Sequence, residues 1–390
     1  MLRKVLIIIT LVAAIGAVYY ERYSKRVYIN PLEYAKFSQV IPPTEVPECR
    51  DDHSLEYYYY KEVPEEKKAN NKFGLYIYPD NEKFIELADK LVNSNDGDWG
   101  YVLMPFNVKD TDESKWDRIF YLLNDKRLIP IVQLYDVDLD DYEDQTDEAA
   151  SFLNERVWPI RQRYVSVYNE PNDDKFWYGD ADPVQYAEIL DYTVRKFKEV
   201  NQDFFMMNGA LNVSAPSGRG YIDSFVFMRE MEEAVPGIFQ RLDGWASHPY
   251  PQPNFSGSPR ATGRWSIRAY ESELNYLHNE LDVTKELPVF ITETGWAHDA
   301  GRVFDPSFLS LEQVADNIEQ AFEEVWLPDD KVMAVAPFTI WYESPGDHFA
   351  WVDSRWVPYE QYERIKSMEK VEGNPESLEK GVISSQECTN

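Results

Sequence analysis

Eight times along this 390-residue chain a short apolar run is followed by a loop and then by a stretch carrying apolar residues every three or four positions. The runs begin near Phe73, Trp99, Leu128, Tyr164, Phe204, Leu242, Pro288 and Val332. Helical periodicity lies between them, as in 81–92, 184–200 and 311–326, the last opened by Ser310 with Gln313 placed to complete a capping box. Strands that alternate with helices pair in parallel through crossovers, and eight such units closing on themselves predict an α/β fold of the (β/α)8 TIM-barrel class. An open, doubly wound sheet is the alternative. Against it, no Gly-x-Gly-x-x-Gly or Walker loop follows any of the runs.

The repeat occupies residues 72–372 and sets the two ends apart. Met1-Leu-Arg-Lys4 followed by the uncharged run from Val5 to Tyr20 reads as an export signal or a short membrane anchor. The poor small-residue pattern around Ala14 to Ala17 favours an uncleaved anchor over residues 1–20, and Arg3 and Lys4 place its start on the cytoplasmic side. The rest would then be extracytoplasmic, with membrane association through the N-terminal segment alone. Residues 21–71, with five prolines and the run Tyr57 to Tyr60, show no sustained period and read as a juxtamembrane linker, while 373–390 read as a polar tail. Cys49 and Cys388 are the only cysteines and flank the repeat, so one disulfide is open to them outside a reducing cytosol. A formal charge of -30 excludes a polyanion such as nucleic acid as a partner, and a monomer is expected.

In such a barrel the chemistry sits at the C-terminal ends of the strands. Those positions are Tyr78, Asn107, Gln133, Tyr135, Asn169, Glu170, Asn208, His248, Tyr250, Glu293, Trp296, Trp341 and Glu343. Two of the acids each terminate an apolar strand. The strand in Val165-Ser-Val-Tyr-Asn-Glu-Pro-Asn172 stops at Glu170 because Pro171 cannot donate to a ladder and Asn172 belongs to a turn; Leu287-Pro-Val-Phe-Ile-Thr-Glu293 runs into Thr294-Gly295-Trp296. A carboxyl where a buried strand meets its loop is partly desolvated and rigidly held, the setting in which its proton affinity can be moved toward neutrality. Two such groups point to a retaining glycosidase.

The motif Tyr-Asn-Glu-Pro-Asn at 168–172 resembles the Asn-Glu-Pro signature of the clan A glycoside hydrolases, a grouping that includes families 5 and 39. Ile-Thr-Glu-Thr-Gly-Trp at 291–296 is similar to their strand-seven signature. The resemblance covers about residues 73–365. It implies hydrolysis of a β-linked oligo- or polysaccharide by double displacement, with no cofactor and no metal. Glu170 would be the acid/base, Glu293 the nucleophile and Asn169 the partner of the sugar 2-hydroxyl. His248 or Tyr250 would support the nucleophile, and Trp341 would floor the sugar at the cleavage point. Trp177, Trp265 and Trp296 could serve further subsites, and Gln133 and Tyr135 end the third strand beside them. The clan's arginine at the end of strand two is missing from Val102-Leu-Met-Pro-Phe-Asn107, which leaves Asn107 or Tyr78 to replace it.

Competing constellations are weak. His53, His248, His278, His298 and His348 show no paired metal-ligand spacing, and no Gly-x-Ser-x-Gly elbow occurs. A transglycosylase and a catalytically silent carbohydrate-binding barrel remain alternatives. Sugar and linkage depend on loops 136–146, 249–268 and 297–307, whose shapes periodicity does not resolve.

Overall fold

The computed structural model describes residues 55–383. The apolar run from Val5 to Tyr20, most of the linker, Cys49 and Cys388 lie outside the described residues. In chain order the elements are β1 (Leu55–Tyr60), β2 (Gly74–Tyr76), α1 (Glu82–Val92), β3 (Tyr101–Asn107), α2 (Glu113–Asp125), β4 (Ile129–Tyr135), α3 (Tyr142–Glu155), β5 (Arg163–Val167) and α4 (Pro183–Val200). They continue with β6 (Phe204–Asn208), α5 (Ser224–Ala234), β7 (Trp245–Ser247), α6 (Ala269–Glu280), β8 (Val289–Ile291), α7 (Leu311–Ala321), β9 (Val332–Val335), α8 (Glu360–Ser367) and β10 (Leu378–Ile383). Each of the eight apolar runs contributes one of the strands β2 to β9. Helices α1, α2, α4, α5 and α7 start where a side chain satisfies free backbone N–H groups of the first turn: Asn81, Asp112, Asp182 and Asp223 accept from them, and Ser310 with Gln313 forms the full capping box.

Strands β2 to β6 pair in sequence as one parallel sheet, and β7 to β9 as another. Single parallel bridges, Met207 with Gly244 and Phe73 with Val335, join the two sheets at both seams and close the cylinder. Side chains replace ladder bonds at the first seam. The Asn208 carboxamide donates to the carbonyl of Ala246 and accepts from its N–H, and Asp243 accepts from the N–H of Met206. Successive residues alternate between two cores, as a pleated strand requires. Tyr101, Leu103, Ile131, Tyr164, Met207, Ala246, Phe290 and Ala334 fill the cylinder, whereas Val102, Met104, Val132, Val165, Met206, Trp245 and Val335 face the helices.

Two expectations change. The eighth apolar run does not continue as a strand to Trp341: β9 ends at Val335, because Pro337 has no N–H for the ladder. Part of the expected linker and part of the expected tail are strands, since β1 and β10 pair antiparallel with Leu55 opposite Ile383 and Tyr60 opposite Leu378. Neither has a neighbouring strand in sequence to pair with, which is why local periodicity did not reveal them. Among the described residues no helix is long and apolar enough to cross a membrane.

Candidate active site

Glu170 leaves β5 through an unusual backbone path. Tyr168 and Glu170 both lie in the left-handed region, with φ of 71° and 39°, so the side chain is turned out of the strand's alternation. The turn is secured on both flanks. The N–H of Glu170 donates to the carbonyl of Ala210 at 3.0 Å, and Asn172 donates to the carbonyls of Asn212 and Ile222 while accepting from the N–H of Asn212. Gly209 lies beneath; a Cβ there would meet the carbonyl oxygen of Val167 at 2.5 Å, so only glycine lets the exits of β5 and β6 approach this closely.

Glu293 is reached from the other sheet. It lies two residues beyond β8, and the residues on either side of it are held by the exit of β7. Thr292 donates its N–H to the carbonyl of Ser247 at 3.1 Å, and the Thr294 hydroxyl donates to the carbonyl of Pro249 at 2.8 Å. Residues 247 and 249 thus fasten the two backbones together, and His248 between them and Tyr250 just after them project into the site. Tyr250 donates its hydroxyl to Glu293 Oε2 at 3.1 Å. His248 Nδ1 lies 3.0 Å from Glu170 Oε1 and 3.9 Å from Glu293 Oε2. One nitrogen that close to both bounds the separation of those two oxygens below about 7 Å, so the two carboxyls share one small volume.

The site is dry. His248 is 1% exposed and Glu170 7% exposed. Burial pushes the Glu293 carboxyl up to about 7, against the opposing influence of the His248 imidazole and the Tyr250 hydrogen bond. Burial alone would depress the His248 imidazole, but the carboxylates of Glu293, Glu170 and Glu273 outweigh it and raise its proton affinity above the usual histidine range. A short hydrogen-bonded line runs along one wall: Tyr76 donates to Gln133 Oε1, and Gln133 Nε2 donates to Asn169 Oδ1 at 3.1 Å. The Asn169 oxygen is thereby occupied, and its amide N–H groups remain for another acceptor.

The other candidates sit at the rim or pack into the core around the site. Asn107 donates to Asp136 and accepts from the N–H of Lys109 at the rim, and Tyr135 is 44% exposed beside it. Tyr78 packs between Tyr76 and Tyr342, near enough to Glu293 to feel its charge. Trp341 stacks on Phe84 of α1 with ring centroids 6.5 Å apart; the ring that meets Tyr76 inside the cylinder, at 5.2 Å, belongs to Phe338. Trp177 and Trp296 are fully buried, donating to Gln185 and to the carbonyl of Gly257, whereas Trp265 is 64% exposed. Phe338 and the contact between His248 and Glu170 are the features sequence reading did not identify. The Pro337 break was the available signal for the first.

No family model and no curated protein matches this chain. Solved structures do. A monomeric β-xylosidase from Caulobacter crescentus superposes with a TM-score of 0.52 at 16% identity, over 83% of this chain and 72% of that one. An endo-β-1,3-glucanase of family GH128, subgroup II, from Pseudomonas viridiflava gives 0.52 at 14% identity, over 76% of this chain and 97% of that one. A Bacteroides uniformis β-glucuronidase gives 0.52 at 11% identity, and there the match spans only 35% of the longer chain. At these identities the likeness is one of fold: the chain shares its α/β architecture with barrel glycosidases.

Proposed function

We propose that the protein is a retaining glycoside hydrolase acting on a β-linked carbohydrate. The observation that supports this most is that carboxyls from two separate sheets meet one buried imidazole nitrogen, which holds them close enough to flank a single glycosidic bond. That the neighbours in fold are themselves named as a xylosidase, a glucanase and a glucuronidase agrees with it.

In this reading Glu293 attacks the anomeric carbon as a carboxylate. The C–O bond to the leaving group breaks as Glu170 delivers its proton to the departing oxygen, and a glycosyl ester forms on Glu293. Water then enters, gives a proton to Glu170 and displaces the ester. Tyr250 holds Oε2 of the nucleophile at a fixed angle. Asn169, oriented by Gln133, offers its N–H groups to the sugar 2-hydroxyl, where a hydrogen bond strengthened in the transition state accelerates the reaction. Burial keeps the site free of competing water, so the fixed dipoles act at low dielectric.

Leaving-group dependence tests the assignment of Glu170. In Glu170→Ala, hydrolysis of a substrate with a poor leaving group should fall by about 10²–10⁴-fold. A dinitrophenyl glycoside, whose phenolate leaves without a proton, should lose much less. Equal losses on both would mean that Glu170 is not the acid.

A further inference from the structure

We propose that Glu273, on α6, is a positioning residue that fixes His248 between the two carboxyls, acting through Ser247 and through its own charge. The inference rests on the glycosidase reading only for its kinetic consequences.

The buried face of α6 consists of Ala269, Tyr270, Glu273 and Leu277, so a carboxyl occupies a core position where an aliphatic side chain would carry no desolvation cost. Glu273 is 0% exposed. Its Oε2 accepts a short hydrogen bond from the Ser247 hydroxyl, and the Trp245 side chain of β7 lies close enough to favour its charged form. Ser247 is the last residue of β7. Its side chain is tied to α6, its carbonyl to Thr292 beside Glu293, and the next residue is His248. The tether therefore sets where His248 departs from the strand.

The charges around Glu273 are few. Arg264, from the β7–α6 loop, faces it but is engaged by Asp223 at 2.7 Å, by the carbonyl of Val213 and by Ser224. From β7 it feels the His248 imidazole, which in turn faces Glu170 and Glu293. Burial pushes the Glu273 carboxyl up to about 7, against hydrogen bonding from Ser247 and Trp245 and, more weakly, the charges of His248 and Arg264. When ionised, Glu273 favours the imidazolium form of His248; when protonated, it withdraws that support. A carboxyl with no hydrogen bond to either member of the pair thereby influences the proton held beside Glu170.

The two halves separate by mutation. Glu273→Gln keeps the shape and an acceptor for Ser247 but removes the charge, whereas Ser247→Ala removes the tether and keeps the charge. NMR titration of the His248 ring in the full chain reads the electrostatic half directly. In Glu273→Gln its pKa should fall by about one, and the limb of the kcat/KM profile that follows His248 should move to lower pH with it. In Ser247→Ala, kcat should fall about tenfold, the scale of one hydrogen bond to a charged group, with KM little changed. A Glu273→Gln protein whose His248 titrates as in the wild type overturns the electrostatic half, whatever its turnover. An unchanged kcat in folded Ser247→Ala overturns the tether. The titration needs no substrate, so it stands even if no glycoside is hydrolysed, the outcome that would instead count against the glycosidase reading.

Discussion

Replacing Glu293 by Gln should abolish turnover and, at alkaline pH, stabilise the protein. Burial raises the Glu293 carboxyl from its ordinary value of 4.5 to about 7. A carboxyl raised on folding contributes its stability below the unfolded value, where both states are protonated alike, and loses it as pH rises through the folded value. Between those limits the native state holds a proton the unfolded chain has released. By pH 8.5 the cost of ionising Glu293 inside the barrel is about 3 kcal/mol, whereas at pH 5 it is below about 1 kcal/mol. Gln keeps the size and accepts from Tyr250 without that cost. For a cooperative unit of this size the unfolding entropy is roughly 0.7 kcal/mol per kelvin, so the variant should melt about 4 °C above the wild type at pH 8.5 and within about 1 °C of it at pH 5. Calorimetric melts at the two pH values, beside a turnover assay expected to fall by about 10³-fold or more, make the comparison. A Tm difference that is the same at both pH values, or a variant less stable at pH 8.5, would refute the electrostatic reasoning even if activity were lost.

Two further consequences follow from the geometry. Because Glu293 must be ionised to attack and its carboxyl is raised to about 7, the acid limb of kcat/KM should lie near pH 7 instead of near 4.5; Tyr250→Phe, which deletes a hydrogen bond to the charged form, should move that limb upward and cost about 10- to 100-fold in kcat/KM. An acid limb that stays fixed in Tyr250→Phe would show that the hydroxyl does not hold the nucleophile.

The barrel was legible because each strand is an apolar run closed by a breaker, a pattern that survives in a single sequence. The strand-exit positions of Glu170 and Glu293 were legible too: β5 and β8 end at Val167 and Ile291, shortly before Pro171 and Gly295. What lay beyond local pattern was orientation. That His248 turns toward Glu170 while Tyr250 turns toward Glu293 depends on β7 ending at Ser247 and on the fastening of residues 247 and 249 to 292 and 294, neighbours some 45 residues away in sequence. Trp341 lies beyond the end of β9 and meets Phe84 of α1, a neighbour that its place in the sequence does not announce. Trp177 and Trp296 lie in loops, yet their burial is decided by what closes over them, which composition does not encode. Glu273 reads as an ordinary helical glutamate until the packing shows that it faces inward.

On the proposed mechanism Glu293 forms a covalent bond to the sugar while Glu170 stands across from it. Incubation with a panel of 2-deoxy-2-fluoro β-glycosides bearing activated leaving groups, which form the glycosyl ester faster than they lose it, followed by peptide mapping, tests it directly. One fluoroglycosyl group per chain is expected, on the peptide that contains Glu293, and none in Glu293→Gln. Labelling at another residue, or hydrolysis of a natural substrate that releases the inverted anomer first, would contradict it.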